Sequence, residues 1–362
     1  MGQRILHLSP DMGFNDGRSY YVFLLLKYLK RNGHEVFLCT NNTESKEKVL
    51  GYGAGFICID TLSDKKKILN SISALSKIVK ENKIEIIHSH HRYYEFLANS
   101  VRLKTDVKTV FTALSIVDKR YFVEYKSDRL IAVSRNVERM MVNSFGIEKE
   151  RIQIIPNFTD SEEITDNAEH EIESNKYLKI INSKKNMGYK ILLSVGRYHK
   201  DKDHFTLLKT LTQLKEKKIF TVIIGSGDLK IEYEKYIKEN DLNVLLVPAQ
   251  KDLGRYYKTT DICVLCSLNE PLPGFMLQSG LFKKPFIGSD ADGIKEVIIN
   301  NENGLIFKKR NYSELKDCIM MLTESSELPL ALSENLHLLI IKDFTEKKII
   351  PKIEMVYRSL ID

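Results

Sequence analysis

One pattern constrains the fold more than any other. An alternation of short apolar runs and helical segments fills the first half of the chain, stops, and starts again. In the first half the apolar runs are RILHLS, EVFLCT, GFICID, IEIIHSH, KTVFTA, RLIAVS and RIQIIPN. They are apolar throughout and β-branched, without regular polar alternation. Strands read this way when both faces of a parallel sheet are covered. YYVFLLLKYLKR and ILNSISALSKIVKEN have helical spacing, and Asn32-Gly33 after a basic last turn is a left-handed helix stop. The second run has strands KILLSVG, FTVIIGSG, NVLLVP, DICVLCS, PFIGSD and GLIF. Its helices are FTLLKTLTQLKEK, LKIEYEKYIKEN, LGRYYKTT, YSELKDCIMMLTES and TEKKIIPKIEMVYRSL. An acidic, polar stretch, TDSEEITDNAEHEIESN, separates the two runs.

Two such runs predict an α/β chain of two Rossmann-like domains with parallel sheets, binding ligands at the carboxyl ends of the strands in the cleft between them. A length of 362 residues accommodates two domains, each able to bury a core. The boundaries read as 1–165 and 189–345, with a connector at 166–188 and a C-terminal helix at 346–362.

Charge separates the halves. Residues 1–160 hold 25 Lys and Arg against 18 Asp and Glu, so the whole net charge of +7 lies there. Lys27, Lys30, Arg31, Lys65, Lys66 and Lys67 contribute to it. The plain reading is a solvated basic face; the sharper one is attraction to an anionic membrane surface or an anionic acceptor. Nucleic acid is not expected, because no aromatic-basic recognition motif accompanies the charge. No stretch approaches the ~18–20 apolar residues of a membrane span, and the first residues are too short and polar for a secretory signal. Five cysteines, an odd number, suit a reducing cytoplasm. Cys263 and Cys266 form a C-x-x-C inside a run that reads as a buried strand. No second Cys pair or His pair stands at zinc spacing, so no metal is expected.

Several residues at strand ends could carry chemistry. In SVGRYHKDKDHF, Gly196 and Arg197 follow a strand and Lys202 precedes a helix. A guanidinium fork and an ammonium point charge at one strand end suit a diphosphate; the alternative is a basic surface loop. In SLNEPLPGFMLQ, Glu270 ends a strand before a turn and a helix from about Phe275. That helix start offers N–H groups to an anion, and the carboxylate could accept hydrogen bonds from sugar hydroxyls or simply favour the helix dipole. In IIHSHHRYYEF, His88, His90 and His91 could bind substrate hydroxyls, with a structural role for at least one of them. Asp290 and Asp292 form a D-x-D that reads as a strand-to-helix turn. No phosphate-binding P-loop, dinucleotide fingerprint or nucleophile elbow is present.

Taken together these segments resemble one family. NGHEV, IIHSH, DRLIAVS, RIQIIPN, LLSVGR with Lys202 five residues on, VIIGSGD, the segment from Glu270 and DGIKEVIINNENGLIF are similar to retaining glycosyltransferases of the GT-B fold, family four of the sugar-nucleotide-dependent enzymes. The resemblance covers nearly the whole chain. It implies a nucleotide sugar, most often UDP-linked, held mainly by the second domain, and a C-terminal helix crossing back to the first. It implies that Arg197 and Lys202 hold the donor diphosphate, that Glu270 contacts sugar hydroxyls, and that His90 lies near donor sugar and acceptor. Gly196 and the backbone at Gly274 and Phe275 would line the donor, and Gly17 or Gly13 would bring the first domain's loop to the phosphate. His88, His91, Arg92 and Tyr93 fall on the acceptor side. The implied function is transfer, with retention, to a glycan or lipid-linked acceptor in bacterial surface polysaccharide or glycoconjugate synthesis. It would need no metal or other cofactor, and would take place in the cytoplasm or at the inner membrane face. Oligomeric state stays open, a homo-oligomer included.

One departure stands out. Where the family pattern has a second Glu eight residues after the first, this chain has Gln278. Gln accepts a hydrogen bond without the charge that strengthens one, so contact with the nucleotide ribose should weaken or change. Pro271 also replaces the usual Gly in the turn. A catalytically inactive partner or glycan-binding subunit is the alternative these changes raise.

Overall fold

The structure, a computed structural model, describes residues 2–13, 16–117, 119, 124–164, 175–250 and 252–361. It divides into two units, one of residues 1–158 with 346–362 and one of residues 159–345.

The first unit is built on a seven-stranded parallel sheet. In chain order it runs β1 (Arg4–Leu8), α1 (Gly17–Arg31), β2 (Glu35–Thr40), α2 (Lys46–Gly51), β3 (Gly55–Cys58), α3 (Ile68–Glu81), β4 (Ile86–Ser89), α4 (Arg92–Arg102), β5 (Lys108–Ala113), β6 (Arg129–Ala132), α5 (Arg135–Phe145) and β7 (Ile152–Ile154). The strand order is β3-β2-β1-β4-β5-β6-β7, so the winding reverses between β1 and β4. Ile5 points into a cluster formed with α1, while Leu6 and Leu8 point into one formed with α3 and α4. Both faces are therefore covered, which is why the strands carry no polar face.

The second unit contains α6 (Lys176–Asn186), β8 (Lys190–Val195), α7 (His204–Thr212), β9 (Ile219–Ile224), α8 (Lys230–Glu239), β10 (Val244–Val247), α9 (Gly254–Thr259), β11 (Ile262–Leu265), α10 (Gly274–Leu281), β12 (Phe286–Ser289), α11 (Asp292–Lys295), β13 (Leu305–Phe307), α12 (Tyr312–Glu324) and α13 (Leu328–Asp343). Its six parallel strands follow the order β10-β9-β8-β11-β12-β13, with the reversal between β8 and β11. The final helix, α14 (Glu346–Ile361), belongs to the first unit, where it packs on α1 and β5. Ile349, Ile350, Ile353, Val356 and Tyr357 form its buried stripe at helical spacing. Glu354 on the same helix accepts from Asn32 at 2.7 Å and lies 3.3 Å from His34.

The boundaries differ from those read in the sequence. The first unit ends at residue 158, and Thr159 already pairs with Thr345 in the second, its N–H donating to the Phe344 carbonyl at 2.9 Å. Of the expected connector, residues 166–174 lie outside the described residues. Lys176–Asn186 is the helix α6, capped by Asn175 and packed on β8, β9 and α9. Only Leu178 and Ile181 of that helix are buried, so its sequence reads as polar although it is part of the fold. Besides α6, the periodicity reading misses α2, α4, α5 and α13. No helix is long and apolar enough to cross a membrane among the described residues.

Candidate functional site

In each unit the residues of interest lie at the carboxyl ends of the two strands that flank the winding reversal. Sheets of this topology leave a crevice there, because the following loops diverge to opposite faces.

In the second unit the chain leaves β8 through Gly196, Arg197 and Tyr198. The Gly196 N–H donates to the Ile224 carbonyl at 3.0 Å, and the Tyr198 N–H to the Ser226 carbonyl at 2.8 Å. The Tyr198 ring is buried, and its hydroxyl donates to the carbonyls of Ile223 and Val247 at 3.0 and 3.1 Å. A methyl group on Gly225 would fall far inside contact of the Gly196 carbonyl, so only glycine lets these two strand ends approach. With Tyr198 anchored inward, Arg197 is exposed, and it makes no ion pair among the described residues. Lys202 ends a short 3-10 turn and pairs with Glu270. Glu270 is buried, at 3% exposure, whereas 21% of the Lys202 side chain stays accessible. Lys202 also lies beside Gly196, whose missing side chain would meet its Cγ at 3.4 Å.

The loop carrying Glu270 is held from both sides. The Leu268 N–H donates to the Asp201 carbonyl at 2.8 Å, and the Gly293 N–H to the Glu270 carbonyl at 3.2 Å. A methyl group on Gly293 would penetrate the Glu270 and Pro271 carbonyl oxygens. Gly293→Ala is therefore expected to cost about 1–3 kcal/mol, as overpacking does, and to push Glu270 away from Lys202. Thermal melts check the first part and a transfer assay the second; a variant with wild-type stability and rate would overturn both.

Gly274 begins α10, which has no side-chain N-cap, so its first backbone N–H groups are left for another partner. Phe275 is buried, with its ring stacked near Tyr257. Gln278 is buried too, and its Oε1 accepts from the Tyr257 hydroxyl at 3.1 Å. The carbonyl expected to meet a ribose is thus already engaged inside the unit. Asp290 accepts from the Lys309 N–H at 3.0 Å and Asp292 pairs with Lys295 at 3.2 Å, so both carboxylates serve the local turn. Cys263 is buried, and burial pushes its thiol up to about 12, far from thiolate chemistry at neutral pH.

In the first unit, Gly13 lies in the β1–α1 loop, where a methyl group would meet the Glu44 carboxylate at 3.2 Å. Gly17 opens α1, with Asp16 as its cap, accepting from the Ser19 N–H at 2.8 Å. The histidines divide by role. His88 is fully buried; its Nδ1 lies 2.7 Å from the Tyr357 hydroxyl and its Nε2 2.7 Å from the Thr112 hydroxyl. It takes the structural role and has no nitrogen left for an acceptor. His90 sits at the end of β4 with its Nε2 3.0 Å from Nδ1 of His7. His91 caps α4, accepting from the Tyr93 N–H at 3.3 Å. Arg92 donates to Glu124 at 2.5 Å and to the Lys119 carbonyl at 2.9 Å, so its fork is directed within the unit. Tyr93 is half-buried, under the Lys65 ammonium at 5.9 Å.

His7 is the residue the sequence reading missed. It stands opposite His88 in the β1–β4 register, and with His90 the three imidazoles bring ring nitrogens within 4.8 Å of one another. Such a trio has the composition of a metal site. Both nitrogens of His88 are spent on hydroxyls, however, which leaves two ligands where three would be needed. Burial holds His7 down to about 3, with a smaller contribution from His34, and holds His88 and His90 well below the ordinary value. His204 in the second unit is likewise buried and held to about 3, first by burial and then by Lys202.

These depressed values make stability depend on pH. The unfolded histidines titrate near 6.5, so below that pH the unfolded chain binds protons that the folded chain refuses. The contribution is fully present above about 6.5 and is lost as pH falls towards 3. His7 and His204 should each remove about 1.4 kcal/mol per pH unit within that window, with His88 and His90 acting in the same direction. Urea midpoints at about pH 7 and about pH 5.5 check this, and equal midpoints would refute it.

Comparison with known proteins adds to this geometry. The family model described as glycosyl transferases group 1 matches residues 177–337, and the one described as glycosyltransferase family 4 matches residues 16–163. The putative glycosyltransferase EpsF of Bacillus subtilis is 24% identical over 311 residues, 80% of this chain and 79% of its own length. The UDP-Gal:alpha-D-GlcNAc-diphosphoundecaprenol alpha-1,3-galactosyltransferase of Escherichia coli is 23% identical over 324 residues, 82% of this chain and 80% of its own. Among solved structures, Anabaena HepE in complex with UDP-glucose superposes with a TM-score of 0.85 at 15% identity, covering 98% of this chain and 99% of that one. That last likeness is one of fold.

Proposed function

The chain belongs to the group 1 glycosyltransferases of the GT-B fold, and we propose that it moves a hexosyl group from a UDP-sugar to a hydroxyl of a glycan or lipid-linked acceptor, with retention of configuration. One observation carries this reading. An exposed Arg197, without an ion pair among the described residues, and a Lys202 held by buried Glu270 stand at the carboxyl ends of adjacent strands β8 and β11. A diphosphate leaving group gathers negative charge as the glycosidic bond breaks, and preorganised cations stabilise that charge without reorganising. Arg197 would grip the diphosphate as a fork and Lys202 as a point charge. Glu270 would keep Lys202 in place and accept hydrogen bonds from sugar hydroxyls. The uncapped start of α10, at Gly274 and Phe275, would add N–H groups for phosphate oxygens.

The E. coli relative named above acts on a lipid-linked acceptor by its name. Together with the family, this supports a role in surface polysaccharide synthesis. No metal takes part in the proposed step, so a chelator should leave the rate unchanged. A donor panel with product detection tests the whole reading. Transfer from a UDP-sugar with a retained anomeric centre is expected. A transfer seen only from another activated sugar, or inversion, would overturn it. The engaged carbonyl of Gln278 further predicts that UDP stabilises the protein less than it does the variant Gln278→Glu. Equal shifts in melting temperature on adding UDP would contradict this.

The basic first half supports peripheral attachment. Lys65, Lys66 and Lys67 are exposed, and Leu69 beside them is 74% exposed. Each such basic residue contributes about 1 kcal/mol near an anionic surface and is screened by salt. Binding to vesicles containing anionic lipid at low salt, released at high salt, is expected; no binding at low salt would rule attachment out.

A further inference from the structure

We propose that His7 is a positioning residue which holds His90 in the tautomer protonated on Nδ1, so that His90 meets its substrate as a hydrogen-bond donor. The proposal rests on the reading that His90 touches substrate. It starts from strand register: β1 and β4 are neighbours, and the His90 N–H is pinned to the Leu8 carbonyl at 3.0 Å. The rings of His7 and His90 lie edge to edge within 7° of parallel, with centroids 5.3 Å apart and His7 Nδ1 3.0 Å from His90 Nε2. His88 packs against His90 at 4.3 Å and is itself locked by Tyr357 and Thr112.

A neutral imidazole carries one N–H. Burial keeps both rings neutral, so a single proton lies between His7 Nδ1 and His90 Nε2. The two remaining nitrogens, His7 Nε2 and His90 Nδ1, are buried without a hydrogen-bond partner among the described residues. One of them must bear the second proton. If His90 donated, the orphan N–H would be His7 Nε2, on a ring with no exposed surface in the middle of β1. Buried donors without an acceptor are rarer than under-satisfied acceptors. If His7 donates, its Nε2 is only a bare lone pair. The orphan N–H is then Nδ1 of His90, past the end of β4 where a substrate oxygen can satisfy it. The free protein thus holds an unmet donor that a ligand would complete.

Uniformly 15N-histidine-labelled, full-length protein tests this through long-range proton–nitrogen correlations. His90 is expected to show a protonated Nδ1 and a bare Nε2. In His7→Leu the His90 proton should move to Nε2, and transfer should fall on the order of tenfold, the loss of one oriented hydrogen bond. His7→Asn, whose amide nitrogen can replace Nδ1 as donor, should keep the wild-type tautomer and recover most of the rate. The proposal fails if wild-type His90 carries its proton on Nε2, if His7→Leu leaves the tautomer unchanged, or if the Leu and Asn variants are equally slow. Should His7→Leu not fold, the wild-type tautomer and the Asn variant still decide. Should the wild type transfer no sugar, the proposed function fails, while the tautomer measurement still rules on His7.

Discussion

Replacing Arg197 by alanine is expected to lower sugar transfer on the order of 10²–10³-fold while leaving stability within about 0.5 kcal/mol. On the proposed function, the rate would fall because a preorganised cation would no longer meet the charge on the departing diphosphate. Stability holds because Arg197 is exposed and makes no ion pair among the described residues. Lys202→Ala should lose a similar factor in rate but behave differently on melting. It strands the buried Glu270 carboxylate, which pairs with Lys202. Breaking a fully buried pair costs roughly 3–5 kcal/mol; the partial exposure of Lys202 lets water share the load, so about 2–3 kcal/mol is expected. The double variant Lys202→Ala with Glu270→Gln should regain most of that stability and none of the rate. Steady-state transfer assays with parallel thermal melts separate these outcomes. Near-wild-type turnover in both single variants would remove the diphosphate role.

Deleting residues 346–362 is expected to unfold the first unit while the second stays folded. The helix α14 closes one face of the seven-stranded sheet with Ile349, Ile350, Ile353, Val356 and Tyr357, all essentially without solvent contact. Removing buried side chains of this size costs about 2–5 kcal/mol each, against a total of about 5–15 kcal/mol for a domain. The deletion also takes away the Glu354 contacts to Asn32 and His34 and the Tyr357 hydroxyl on His88. Calorimetry should show one transition for the truncated chain, where two are expected for the intact protein. Ile353→Ala, a milder change, should lower only the first unit's transition, by about 2–5 kcal/mol. A truncated chain retaining both transitions would show that α14 is dispensable.

Much of this was legible from the amino-acid order alone, where the signal is local. Strands such as KILLSVG and IEIIHSH are continuous apolar runs between turn residues, and any chain with two series of them must build two covered parallel sheets. Arg197, Lys202 and Glu270 were visible because each stands just beyond such a strand. What escaped was non-local. Helix α13 is apolar on more than one side, so its periodicity is blurred, and α6 buries only two residues. The boundary at residue 158 depends on Thr159 pairing with Thr345, nearly two hundred residues away.

The histidines draw the line most clearly. The order of residues determined that imidazoles stand at and beyond the end of β4 and that cations follow β8. It could not say that His88 is spent on Tyr357 and Thr112, that Gln278 faces Tyr257, or that His7 lies against His90. Those facts follow from strand order and register. They bring together groups far apart in the chain and shut water out, and only then does each nitrogen or carbonyl acquire a partner or go without one.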